Sequence, residues 1–368
     1  MKAVISQLNQ VCLIILVSAV CITNATSQTS NNPIQEKTLK TIQPAQLISN
    51  SDYLRAPVDG MTRDAWLKEA LKLRHDAQAN LPSGYDLLYR RPDLDWSTHN
   101  FSCYFAFLYD NEIIDHKTHK FVVNRFLNRM DREFGGIDSV VLWHAYPRIG
   151  VDDRNQFDFY RDLPGGIPGL CDAVAQFHKR NVKVYIDYNP WDTGTRRETV
   201  TDEAALAEIC GEIKADGIFL DTMTQAPTAL RESVDGKRKG VLFEPEGSPA
   251  LEQLPVCTGS WAQWLDTFPE PGILRLKWIE PRHMQHQIRR WDRGHTSEIE
   301  TAYFNGSGML IWENIFGTDN PWSVEDRKLW RHAAPILRSF APELASKSWE
   351  PYSDTGAAGV YGNRWHGA

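Results

Sequence analysis

Short apolar runs alternate with amphipathic segments along most of this chain, and that alternation leaves few ways to fold it. Residues 101–109, 137–144, 182–188, 216–220, 240–243, 273–279 and 309–315 read as strands. Residues 117–134, 167–180, 201–215, 283–304 and 323–340 read as helices, with a short helix after Pro227 and mixed helix and loop over 249–264. Thr201 and Ser323 are suitable caps, each followed by acids in the first turn. Strands this continuously apolar are buried on both faces, as in a parallel sheet between helices. About seven strand–helix units in one domain favour a closed (β/α)8-type TIM barrel over an open doubly wound sheet. An eighth strand is not evident; it lies near Trp349, or two strands are merged in this reading.

The two ends read differently. Residues 1–25 have the form of a secretory signal: Lys2, an apolar stretch at 11–22 and small residues at Thr23-Asn24-Ala25 for cleavage. The apolar stretch is short for a membrane span. The expectation is export to the periplasm or beyond, with no membrane partner after cleavage. Residues 26–57, rich in Ser, Thr, Asn and Gln, read as a flexible leader. Residues 58–345 hold the barrel and an N-terminal helical lead-in that starts at Thr62. Residues 346–368 read as the start of a C-terminal β region, expected to continue into a β-sandwich.

The net charge of -7, without a basic run, gives no reason to expect nucleic acid as a partner. No Gly-rich phosphate loop supports nucleotide chemistry. Cys103, Cys171, Cys210 and Cys257 are widely spaced with no CxxC pair, which argues against zinc. They read as buried free thiols, although export would permit a disulfide.

Chemistry gathers at the expected strand ends. In DGIFLDTMT an apolar strand ends in Asp221, a carboxylate placed where barrel enzymes work. Other strand ends supply Glu244 and Glu246 (VLFEPEG), Glu280 (RLKWIEPRH) and Glu313 (MLIWENIFG). Two carboxyls flanking one bond are what glycosidic cleavage needs, one attacking and one protonating the leaving oxygen. The chain has thirteen Trp, and Trp143, His144 and Arg148 share one strand end while Asp187 and Trp191 share the next. Aromatic faces beside hydrogen-bonding groups suit a sugar ring. Asp221 is the expected nucleophile. Glu280 is first choice as acid/base, ahead of Glu246 and then Glu244; Glu313 reads as a substrate ligand. His144 with Asp187 leaves a metal open, but no HxH or HExxH spacing supports one, and no cofactor is expected.

Between Ile137 and Ile315 the chain resembles the α-galactosidase (melibiase-like) superfamily of retaining glycoside hydrolases, as an uncharacterised branch. QFDFYRDLPGGIPGLCDAVAQFHKRNVKVYIDYNPW is similar to that family's passage from second to third strand, and DGIFLDTM to its nucleophile strand. The resemblance implies a barrel, an α-linked oligo- or polysaccharide substrate, a nucleophilic Asp221 and an acid/base near Glu280. The chain departs from the pattern: His144-Ala145-Tyr146 replaces an Asp-Asp-Gly-Trp element, and Phe219 stands where the family carries Lys. Galactose specificity is therefore not implied. The rival readings are a carbohydrate-binding barrel without turnover and a metal-dependent hydrolase using His144, Asp187 and Asp221.

Overall fold

The computed structural model describes residues 12–18, 52–57, 60–144, 152–191, 196–263, 265, 270–292 and 294–366. Eight parallel strands make up its central sheet: β1 Ser102–Phe107, β2 Ser139–Trp143, β3 Lys183–Tyr188, β4 Gly217–Leu220, β5 Leu242–Pro245, β6 Gly259–Gln263, β7 Met284–Ile288 and β8 Gly308–Ile311. Neighbours in sequence are neighbours in space, and β8 pairs with β1. The sheet curls into a (β/α)8 barrel with one seam, between β5 and β6, that no ladder joins. Across that seam Gly259 lies against Leu242. The buried Arg231 guanidinium donates to Val241 O at 2.7 Å and to Val256 O at 3.0 Å, tying together the approaches to both strands.

The strand sequences follow from burial on two sides. Phe105, Val141, Trp143, Tyr185, Phe219, Leu242, Trp261, Leu310 and Trp312 form one cluster inside the barrel. Tyr104, Val140, Leu142, Val184, Ile186, Ile218, Phe243 and Ile311 pack into the larger outer cluster shared with the helices. Glycines make room for large rings within. A Cβ on Gly217 would lie 2.6 Å from the Tyr185 ring, and one on Gly308 2.6 Å from the His286 ring. Leu88 and Leu94, on the 3-10 segments Leu88–Arg90 and Pro92–His99, join the inner cluster and close the N-terminal end.

The longer helices are α1 Arg63–Asn80, α2 Val123–Phe134, α3 Gly166–Lys179, α4 Asp202–Ile213, α5 Thr228–Lys237, α6 Thr296–Asn305 and α7 Val324–Ser339. Thr62, Thr201 and Ser323 cap α1, α4 and α7 through their side-chain oxygens. Among the described residues, the connection after β5 holds the turn Leu251–Gln253, and that after β6 holds the two-residue strand Ile273–Leu274 and the five-residue helix Arg275–Ile279. The long lead-in helix α1 supports this thin side. Trp278 Nε1 donates to Ala70 O at 2.8 Å, and Gln78 donates to Ile279 O at 2.7 Å.

Three sequence readings are corrected. The expected strand at 273–279 is a two-residue strand, Ile273–Leu274, followed by the helix Arg275–Ile279. The expected helix at 283–304 is β7 followed by α6. The stretch read as mixed helix and loop contains β6. β6 and β7 complete the barrel, and Trp349 belongs elsewhere. Trp349–Glu350 pairs antiparallel with Val360–His366, whose other side carries Cys12–Ser18. Trp349 stacks on Trp365 with ring centroids 5.3 Å apart and meets the edge of Trp278. Cys103, Cys171, Cys210 and Cys257 are free thiols. Among the described residues no helix is long and apolar enough to cross a membrane.

Candidate active site

The carboxyl ends of the strands surround a pocket of about 170 Å³, lined by Trp143, Trp191, Asp221, Glu246, Arg290 and Phe316 around a floor of Phe105, Phe219, Trp261 and Trp312. Alternation in the strands builds it. Phe219 faces inward on β4, so Asp221, two residues on, returns to the same side just past the strand end. Glu246 follows β5 in the same way, two residues beyond the inward Glu244. The floor is densely aromatic: Phe219 stacks on Trp261 at 4.3 Å, and Phe105 touches Trp143, Trp261 and Trp312 at 5.0, 5.1 and 4.5 Å.

Asp221 is 6% exposed and accepts a hydrogen bond from Trp143 Nε1 at 3.4 Å. Burial pushes its carboxyl up to about 8; the Glu246 charge and a hydrogen bond between the two carboxyls add to this, against the Trp143 N–H and the Arg290 cation. Near neutral pH Asp221 therefore keeps its proton. Glu246 is held from several sides. The Thr222 N–H donates to its Oε2 at 2.6 Å, and Arg290 lies 3.6 Å from its Oε1. Gln263, with its amide oxygen accepting from Arg290 at 3.0 Å, donates to Glu246 Oε1 at 3.2 Å. Thr222 adopts a φ of +58°, unusual for a β-branched residue, and this conformation accompanies the aim of its N–H at Glu246. The Trp191 indole N–H donates to Thr222 Oγ1 at 3.1 Å.

The other expected site residues stand elsewhere. Glu280 caps the short helix before β7, at the N-terminal end of the barrel, away from Asp221. It is fully buried, and Arg282 clamps it, Nε to Oε1 and a terminal nitrogen to Oε2, each at 2.7 Å. Beside it Tyr89 donates to Cys257 O and so accepts from His283 Nδ1, while His283 Nε2 is hydrogen-bonded to Ser260 Oγ at 2.9 Å. Burial pulls His283 down to about 3. Glu244 is inside the barrel below the pocket, paired with His286. Glu313 lies among Arg129, Arg327 and the Trp322 N–H at 2.7, 2.6 and 3.1 Å, joining β8 to α2 and α7. His144 Nε2 is 3.1 Å from Asp187 Oδ2; both side chains are fully enclosed, and neither lines the pocket. Burial pulls His144 down to about 3, so it is a neutral imidazole beside a carboxylate. Arg148 falls outside the described residues. Among the described residues no group of three His, Cys, Asp or Glu side chains is arranged to hold a metal ion.

Asp221, Glu246, Trp143 and Trp191 are thus brought together, while Glu280, Glu313, Glu244, His144 and Asp187 are not among the lining residues. Sequence reasoning missed Thr222, Trp261, Gln263, Arg290 and Phe316 as parts of one site. Trp261 and Gln263 sit on the overlooked β6, and Arg290 follows the overlooked β7. The available signal was the run HQIRRW, a polar strand ending in arginines and an aromatic.

No family model matches the chain, and no curated protein matches its sequence. Solved structures resemble it. An alpha-N-acetylgalactosaminidase from Bifidobacterium bifidum is 12% identical, with a TM-score of 0.49 over 82% of this chain and 60% of its own. A debranching enzyme from Nostoc punctiforme is 12% identical, with a TM-score of 0.46 over 71% and 84%. An alpha-amylase from Geobacillus thermoleovorans is 14% identical, with a TM-score of 0.40 over 67% and 80%. Likeness of this degree assigns neither reaction nor substrate to the chain, and it does not single out the α-galactosidase superfamily.

Proposed function

We propose that this protein hydrolyses glycosidic bonds with net retention, using Asp221 and Glu246. The observation that supports this reading is that Asp221 and Glu246 line one pocket over an aromatic floor, close enough for the Glu246 charge to raise Asp221, at the catalytic end of a (β/α)8 barrel. Retaining sites hold their two carboxyls roughly 5–5.5 Å apart, and Asp221 and Glu246 share one small pocket. Retention needs one carboxylate to attack and one acid to donate, and the proton held on Asp221 can be shared with Glu246. Asp221 is fixed by the Trp143 N–H and is the more enclosed of the two, which suits a nucleophile. Glu246 is more exposed and one methylene longer, so it can reach both the departing oxygen and an incoming water.

With a sugar seated on the floor, the shared proton moves to Glu246. An Asp221 oxygen forms a bond to the anomeric carbon as the glycosidic C–O bond breaks, and the Glu246 proton goes to the leaving oxygen. Water then attacks that carbon and gives a proton back to Glu246, and the ester to Asp221 breaks. The α-configuration of the cleaved bond rests on the resemblance to the α-galactosidase superfamily. One observation favours binding without turnover: an Asp that keeps its own proton cannot attack. Proton NMR of p-nitrophenyl α-glycosides with the protein separates the readings. The expected first product is the α-anomer. The β-anomer first would overturn retention, and binding without product would leave a carbohydrate-binding barrel.

Export belongs to the same proposal, carried by the basic and apolar pattern of residues 1–25. Cleavage after Ala25 would also remove Cys12–Ser18, leaving Val360–His366 paired with Trp349–Glu350 among the described residues. The expected mature protein begins at Thr26, as intact mass of the secreted form would report. A mass that retains Met1 or the apolar segment would overturn cleavage.

A further inference from the structure

We infer that Phe316 and Trp291 form a sugar-binding platform just outside the pocket, and that the substrate is an oligosaccharide whose second ring lies on it. The inference rests on the glycosidase reading and names the substrate class of that site. It begins with a turn. Asn314–Ile315 pairs with Thr318–Asp319 in the register Asn314 to Asp319 and Ile315 to Thr318, which leaves a two-residue loop. Phe316 and Gly317 have φ values of +51° and +84°, the type I′ signature. That turn wants Asn, Asp or Gly first, and a bulky residue at positive φ is an outlier. Folding the hairpin gives no reason for phenylalanine.

Burial gives little more. Phe316 is 51% exposed and Trp291 53% exposed, and their rings lie near parallel at 20° with centroids 6.4 Å apart. The inner edge of Phe316 meets Trp143 at 4.9 Å. A chain of ring contacts therefore leads from Trp143 and Trp312 in the pocket, through Phe316, to the exposed Trp291. The pocket's volume of about 170 Å³ is well below the roughly 300–1,000 Å³ of pockets for drug-sized ligands, and it suits one ring. Phe316 lines the pocket and is half exposed, so a group attached to that ring has a way out past the platform. Exposed carboxylates flank the two aromatics in sequence, Asp292 after Trp291 and Asp319 on the hairpin. Exposed apolar faces with carboxylates close by in sequence fit a pyranose with its hydroxyls; a lipid chain would gain nothing from the acids.

The test compares one-ring substrates, α-D-glucosyl and α-D-galactosyl fluoride, with the trisaccharides maltotriose and raffinose. For Phe316→Asn and Trp291→Ala, kcat/KM on the trisaccharide that the wild type cleaves should fall about tenfold or more relative to the matching fluoride. Phe316→Asn should melt no lower than wild type, because asparagine suits the turn. An unchanged ratio would overturn the platform, as would an equal fall on both substrate types with a lower melting temperature, which would mark Phe316 as a seal over the core. If the wild type cleaves none of the four, the glycosidase reading fails. Calorimetric trisaccharide binding weakened in Phe316→Asn would then still support the platform, and absent or undiminished binding would overturn it.

Discussion

Asp221→Asn should lower kcat by at least about a thousandfold on any glycoside that the wild type cleaves, because it removes the attacking oxygen. The same substitution should stabilise the fold at alkaline pH. The folded carboxyl titrates at about 8, whereas in the unfolded chain it titrates at the usual carboxylate value near 3.8. Between those values the native state binds more protons than the unfolded state, so stability due to this group is full below about pH 4 and is lost as pH rises to about 8. The asparagine variant does not suffer that loss. Its advantage over wild type should be absent at pH 4 and reach on the order of a few kcal/mol at pH 8. Thermal melts across that range, beside rates, test both halves. Full activity in the variant would sink the nucleophile assignment; a melting difference that does not change with pH would sink the raised carboxyl. Glu280→Gln supplies the contrast. It breaks the clamp with Arg282 at the opposite end of the barrel, so it should lower stability and leave kcat within about twofold.

The second large effect lies beneath the pocket. Glu244 and His286 are both fully buried inside the barrel and paired. His286 Nε2 donates to Asn100 O at 2.7 Å, which leaves Nδ1 to face the carboxylate with the second proton. Burial pulls the imidazole down, but the Glu244 charge and its hydrogen bond pull harder, and the net shift is upward. Glu244→Gln removes the counter-charge, so the ring either stays a buried cation without its partner charge or gives up its Nδ1 proton and accepts from the glutamine amide. Breaking such a pair costs about 3–5 kcal/mol, seen as a lower urea midpoint. The pH sign is opposite to the usual carboxylate case. A raised imidazole contributes stability that is full below its unfolded value of about 6.5 and is lost as pH rises through the higher folded value. Wild type should therefore weaken from neutral to alkaline pH through this group, and the glutamine variant should lack that part of the slope. A midpoint unchanged by Glu244→Gln at pH 6 would refute the ion pair.

The legible parts of this chain were those where local pattern and global packing agree. Ile218, Phe219 and Leu220 are buried on alternate faces and read as a strand, which placed Asp221 at its end. Thr201 and Ser323 announced their helices. Legibility failed where barrel strands carry polar side chains satisfied by other strands. In β7, Gln285 donates to Ser260 Oγ at 3.4 Å and Ser307 donates to Gln285 O at 2.5 Å, while His286 serves Glu244 and Asn100. None of those partners is near in sequence, and Met and Gln are good helix formers, so the segment resembled a helix. With β6 missed as well and a false strand read at 273–279, the count came out one short, and that false strand drew the acid/base search to Glu280 at its end. RLKWI looked like a strand because five residues are too few to show a helical period. The position of Glu246 was legible; its contact with Asp221 was not, because it depends on the turn at Thr222, where a threonine takes a conformation that sequence rules would give to glycine or asparagine.

The unladdered junction of β5 and β6 gives the acid pair a mechanical meaning. Asp221 and Glu246 stand on one lip of that gap, and Gln263 and Arg290 stand on the other. A barrel hooped everywhere else by backbone bonds is fastened here, at its mouth, by side chains of the candidate site. Under the proposed mechanism, a proton moved onto Glu246 slackens its hold on Arg290, so the staves on either side are loosest with the sugar seated and tighten again as the proton goes to the leaving oxygen.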